Sequence, residues 1–240
     1  MPSFRPLLWL LLLTVPQVAH AGPYCFSQWG RIKIGLVSGL PFTADIVFTE
    51  WELSPDRTRK QHNPEITFVA HTARDTAGKV VFRMTSGDSQ GRPNQGAVST
   101  VCDPQDKTTT TITNANATIS CRGSIPGYMR FHESAFQAPD VSPKIPVESL
   151  GTKNFYDIEA RGFRYPIENA PNSKVIESWL SNFMEMEMLH IETDPLNAFE
   201  NRAAVLNLHH QEPPAELFQI PIELRDNITT RFCPSSTSQN

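Results

Sequence analysis

The chain has 240 residues, with 21 Lys and Arg against 25 Asp and Glu and a formal net charge of −4. That balance provides no cationic surface for a phosphate backbone and sets nucleic acid aside as a partner. Its 20 prolines interrupt it too often for long helices, and its four cysteines, an even number, suit an oxidising compartment.

Residues 1–21, "MPSFRPLLWLLLLTVPQVAHA", carry one Arg at position 5, an apolar run from Leu7 to Val15 and then Ala19-His20-Ala21, whose small residues suit a signal peptidase. The run is about half the length that a membrane-crossing helix needs, and no later stretch approaches that length. The expectation is an exported product, periplasmic or secreted, beginning near Gly22. Losing the segment removes Arg5 and no acid, which moves the formal charge from −4 to −5. "GPYC" lacks the small-residue pattern of a lipid-attachment site.

Short runs of Val, Ile, Thr and Phe between turn residues then predict an antiparallel sheet. "FTADIVFTEWEL" (42–53) alternates, with Ile46, Phe48 and Glu50 opposite Asp45, Val47 and Thr49. "ITFVAHTARDTAGKVVFRMTS" (66–86) reads as two strands joined by a turn at Asp75 to Gly78. "VSTVCDPQDKTTTTI" (98–112) reads as a second hairpin turning at Asp103-Pro104, its threonine run a half-exposed strand. "NANATIS" and the segment from Phe136 to Pro146 read as loop, an insertion over the sheet spanning 113–146. Strand character resumes in "ESLGTKNFYDIEARGFRYPI" (148–167), and the last strands are expected at 174–181, 184–193 and 202–210, with a turn near Asn197. With no repeat and no linker, residues 22–240 are read as a single β-rich domain with few short helices.

Of the three cysteine pairings, Cys102 with Cys121 and Cys25 with Cys233 are favoured, the first closing a short loop and the second tying the ends. A zinc site is disfavoured because no CxxC occurs.

"FMEMEMLHIETDP" (183–195) places Met184, Met186, Met188 and His190 at every second position, hence in one row along a strand. Thioethers and imidazole suit Cu(I). The plainer reading puts Glu185 and Glu187 on the wet face and the methionines inward, as core or groove lining, and expects no metal or cofactor. His209-His210 reads as one surface and one partly buried imidazole. His132-Glu133 is not a zinc-protease helix, since Phe136 stands where the second His belongs. "GLVSG" has Ser38 off the centre of a nucleophile elbow, and no phosphate loop, dinucleotide loop or calcium loop occurs. Trp51 and Trp179 lie in expected strands, where packing is the plainer role and does not exclude lining a ligand concavity.

Five stretches in order, "SGLPFTADIVFTEWEL", "ARDTAGKVVFRM" (with Lys79 where an Arg is usual), "CDPQDKT", "ESLGTKNFYDIEARGFRYPI" and "ESWLS...ETDP...LNLHHQEPPAELFQIP", resemble a family of uncharacterised exported proteins of soil bacteria. The closing Pro-x-x-Leu-Phe-x-x-Pro and the succession of hairpins also resemble the superfamily of outer-membrane lipoprotein carriers. The resemblance spans roughly 35–222, without 113–146, and this chain lacks the long N-terminal helix of those carriers. It implies a mainly β fold, a curved antiparallel sheet or half-open β-barrel with an apolar concave side. The function it implies is non-catalytic: an exported carrier or binder of lipid, acyl or other apolar ligands in the cell envelope. Phe48, Phe82, Trp179, Met184, Met186 and Met188 are the expected ligand-binding residues. The alternatives are a structural or interaction module with its core filled by its own side chains, a Met/His copper-binding protein, and a hydrolase whose site the sequence hides.

Overall fold

The computed structural model describes residues 23–26, 32–54, 56, 58–60, 65–85, 98–113, 115–121, 129–131, 136, 139 and 141–231. The export signal expected at 1–21 lies outside them, as do His132, Glu133 and Cys233.

Among the described residues, fifteen strands form one sheet. They are β1 (Pro23–Phe26), β2 (Lys33–Gly35), β3 (Phe42–Glu52), β4 (Glu65–Arg74), β5 (Val80–Thr85), β6 (Val98–Asp103), β7 (Thr108–Ile112) and β8 (Ala117–Cys121). Next come β9 (Met129–Phe131), β10 (Glu148–Phe155), β11 (Ile158–Pro166), β12 (Val175–Ser181), β13 (Met186–Asp194), β14 (Phe199–His209) and β15 (Ile228–Arg231). The spatial order is β10-β11-β12-β13-β14-β3-β4-β5-β6-β7-β8-β15, and β1 joins β2 to β9 while β2 meets β13 at Ile34 and Met186. β10 and β15 end the path without meeting. The curved, unclosed, mainly antiparallel sheet implied by the resemblance is therefore what the chain builds. Two 3-10 turns, Ala215–Phe218 and Ile222–Asn227, complete the described elements.

Local chemistry sets the hairpins. Between β4 and β5, the Asp75 carboxylate accepts the Lys79 backbone N–H (2.8 Å), and Gly78 turns the chain at φ +87°. A Cβ on Gly78 would lie 2.9 Å from the Val37 carbonyl carbon, so the position excludes a side chain on both counts. Between β6 and β7, Asp103 Oδ1 accepts from the N–H groups of Gln105 (2.9 Å) and Asp106 (3.2 Å), and its other oxygen meets Lys79 Nζ at 2.6 Å. Tyr156 and Asp157, joining β10 to β11, both have positive φ, as a two-residue hairpin with the sheet's twist requires.

The sheet is buried on both faces. Phe42, Ala44, Ile46 and Phe48 of β3 alternate into a large core shared with Cys25, Ile32, Ile34 and Leu36 of the N-terminal segment and with Phe82 of β5. On the other face Ala73, Val81, Val101, Ile112 and Ala117 form a second core beneath Leu217, Phe218, Ile220 and Leu224. The C-terminal segment thus covers one side and the N-terminal segment the other.

Three expectations are corrected. Cys25 is bonded to Cys102, with Cα atoms 6.1 Å apart, so neither favoured pairing stands; β1 and β6 meet only through long-range packing that cysteine spacing does not report. Part of the stretch read as loop is strand: Ala117–Cys121 pairs antiparallel with β7 and, in parallel, with β15. His209 and His210 are both exposed, because the register of β14 against β3 shifts between Leu206 and His209 and interrupts the alternation there.

Candidate ligand-binding site

The six residues expected to bind ligand come together in one cluster. Phe82, Met184, Met186 and Met188 are fully or almost fully buried, Phe48 is buried, and Trp179 is half-buried against them. Phe48 stacks on Phe68 with centroids 4.0 Å apart, and Trp179 meets Phe155 edge-on at 6.0 Å. Ile32, Ile34 and Leu36 belong to the same buried cluster. The six are packing partners of the N-terminal segment, and the two cavities described below are lined by none of them.

The methionine row is interrupted. Trp179 pairs with Leu189 but Leu180 pairs with Glu187, which leaves Met188 as an extra residue in β13. The bulge makes five consecutive residues, Met186 to His190, buried. It also turns Glu187 inward, where the two-residue rhythm expects a wet face. Glu187 accepts from the Ser178 hydroxyl, from the Lys33 N–H (3.3 Å) and from His190 Nδ1 (2.9 Å). Burial pushes the Glu187 carboxyl up, and His190, Lys33 and Ser178 together outweigh it and hold the group below the ordinary carboxylate range. His190 therefore shares its side of the sheet with Glu187 and Ser178 and does not continue the thioether row, so the geometry of a Met/His copper set is not assembled. Ser178 donates to a carboxylate rather than to an imidazole, which is not the geometry of an activated nucleophile. Among the described residues no three of His, Cys, Asp and Glu gather as a metal shell.

On the opposite face lies a groove of about 470 Å³, inside the usual range of roughly 300–1,000 Å³ for small-molecule sites. Two cross-strand rows build it. The first is Thr43, Ala73 and Val81, neighbours across β3, β4 and β5, with His209 beside Thr43 and Leu217 of the C-terminal 3-10 turn also lining the groove. The second, two residues along, is Asn207, Asp45, His71 and Arg83, spread over β14, β3, β4 and β5. Asn207 sits at φ +51° in the irregular stretch of β14 and donates its side-chain N–H to Asp45 Oδ2 at 2.8 Å. His71 Nδ1 bonds the other oxygen of Asp45. Arg83 makes no ion pair among the described residues. A smaller cavity of about 240 Å³ lies by Pro166, Ser173 and Pro195.

No protein-family model matches the chain, and no curated protein does. Solved structures are similar to it in outline. An uncharacterised conserved protein from Thermus thermophilus is 10% identical over 80% of this chain and 91% of that one, with a TM-score of 0.45. A LolA superfamily protein from Nitrosomonas europaea is 8% identical over 75% and 90%, with a TM-score of 0.29. The Mycobacterium tuberculosis lipoprotein LppX is 7% identical over 71% and 88%, with a TM-score of 0.32.

Sequence reasoning placed Asp45 in an alternating strand without giving it a role and missed Arg83, Asn207 and Leu217. The alternation of β4 and β5 does place His71 and Arg83 off the main core face. That they share one cross-strand row with Asp45 follows only from the pairing register.

Proposed function

We propose that this protein is an exported, non-catalytic binding protein that shelters the apolar part of a small ligand in the groove between β3–β5 and Leu217. The observation that supports it is the groove's open volume, bordered by half-buried Leu217 over the buried Ala73 and Val81, whereas the six expected residues lie within the core cluster shared with the N-terminal segment. Burial of a ligand's apolar surface there contributes about 25 cal/mol per Å². The hydroxyls in the groove are engaged in structure: Thr72 donates to the Val81 carbonyl at 2.9 Å, and Thr43 accepts from Gln211 at 3.4 Å.

Displacement of an apolar fluorescent probe by a twelve-carbon amphiphile, on purified mature protein, tests this reading. Saturable displacement is expected, weakened at least tenfold in Leu217→Trp, whose larger ring fills the groove. No saturable displacement, or equal displacement in the variant, would leave the filled-core envelope module as the better account.

A further inference from the structure

We infer that the groove selects the head of its ligand: it takes a single-chain amphiphile with an anionic head, a carboxylate or a phosphate, and Arg83 is the residue that binds that head. This rests on the binding reading above and adds the ligand's charge and orientation to it.

The charges in the groove are not equivalent. Asp45 is its acid, and both of its oxygens are engaged, one by Asn207 and the other by His71. Arg83, next in the same row, is exposed and makes no ion pair among the described residues. A guanidinium stays protonated at any physiological pH and presents a planar fork of N–H donors that matches two oxygens of a carboxylate or phosphate. The imidazoles of His71 and His209 lie in the same groove, so the donors and cations outnumber the single, engaged carboxylate.

The apolar and polar parts are laid out in sequence along the strands. Val81 precedes Arg83 by two residues on β5 and Ala73 follows His71 by two on β4, a step of about 6.6 Å. A head held at Arg83 thus directs its tail over Val81 and Ala73 toward Leu217. A neutral amphiphile of the same length could use the tail surface but would leave the guanidinium without a partner; a free anion could use the guanidinium but would leave half-buried Leu217 uncovered.

Titration calorimetry separates these cases. The probes are laurate, dodecyl phosphate, dodecanol, acetate and inorganic phosphate, each against wild type, Arg83→Gln and Leu217→Trp. Arg83 is exposed on the sheet surface, and thermal melts of the variants establish that they fold. Laurate and dodecyl phosphate are expected to bind wild type at least tenfold more tightly than dodecanol. Arg83→Gln should bring both down to the dodecanol affinity and leave dodecanol unchanged, while Leu217→Trp weakens all three. Equal wild-type affinities for laurate and dodecanol, or an unchanged ratio in Arg83→Gln, would overturn the head selectivity and leave the binding reading standing. Saturation by inorganic phosphate alone, unaffected by Leu217→Trp, would overturn it in favour of a free-anion site. Absence of binding by all three twelve-carbon probes would overturn both proposals.

Discussion

His190 Nδ1 lies 2.9 Å from Glu187 Oε1, although the two residues are three apart in a strand, a spacing that in regular β structure puts side chains on opposite faces. The extra residue at Met188 brings them to one side, where Glu187 is 1% exposed. Removing the charge while keeping the shape, as Glu187→Gln does, takes away one partner of a buried pair and is expected to cost about 3 kcal/mol, read as a lowered urea midpoint. Because the folded carboxyl is held below its ordinary value of 4.5, its contribution is complete above that value and is lost as pH falls through the lower folded one. The gap between wild type and variant should therefore be widest near neutrality and close as the pH is taken well below about 4.

Arg74 is a second buried charge, and it joins three separate stretches. Nε donates to the Leu40 carbonyl (2.9 Å), and Nη1 to those of Gly35 (3.0 Å) and Met184 (2.9 Å), while the guanidinium lies 5.1 Å from the Phe42 ring centroid. Burial pulls its pKa to about 10, so it remains charged at neutral pH. Arg74→Met would strip three carbonyls of their donor, and a loss of about 3 kcal/mol or more is expected. Arg74→Lys should recover less than half of it, because an ammonium lacks the fork that reaches several carbonyls at once. Urea titration measures both, and limited proteolysis should show new cleavage between residues 32 and 40 in each.

Gly162 faces Trp179 across β11 and β12. A Cβ there would lie 2.8 Å from Trp179 Cη2 and 2.9 Å from Leu150 Cβ, closer than real contacts allow. Gly162→Ala is expected to lower stability by about 1–3 kcal/mol through overpacking. Shortening the opposing ring in Gly162→Ala with Trp179→Phe should restore part of that loss, so that the two changes together cost less than their sum in a double-mutant cycle. Strict additivity would show that the ring is not what the methyl group meets.

Non-reducing peptide mapping should recover a Cys25–Cys102 peptide. The Cys25–Cys102 bond spans 77 residues of sequence and ties β1 to β6. Its removal by Cys25→Ala with Cys102→Ala is expected to cost about 4 kcal/mol on the chain-entropy model, seen as a lower melting temperature.

The amino-acid sequence by itself determined what depends on neighbours in the chain. The alternation of Phe42, Ala44, Ile46 and Phe48, the turns at Asp75 to Gly78 and at Asp103, and the inward methionines are all written in residues a few positions apart. They follow from side-chain direction and from the hydrogen bonds that short polar side chains make to nearby backbone. Only the tertiary structure decided which strands lie side by side and in what register. The bulge at Met188 that buries Glu187, the parallel pairing of β15 with β8, the partner of Cys25, and the row that sets Asp45 beside His71 and Arg83 all depend on contacts between distant segments. A shift of one residue in pairing exchanges the two faces of a strand without changing its local pattern, so no reading of that pattern alone can place a site built across four strands.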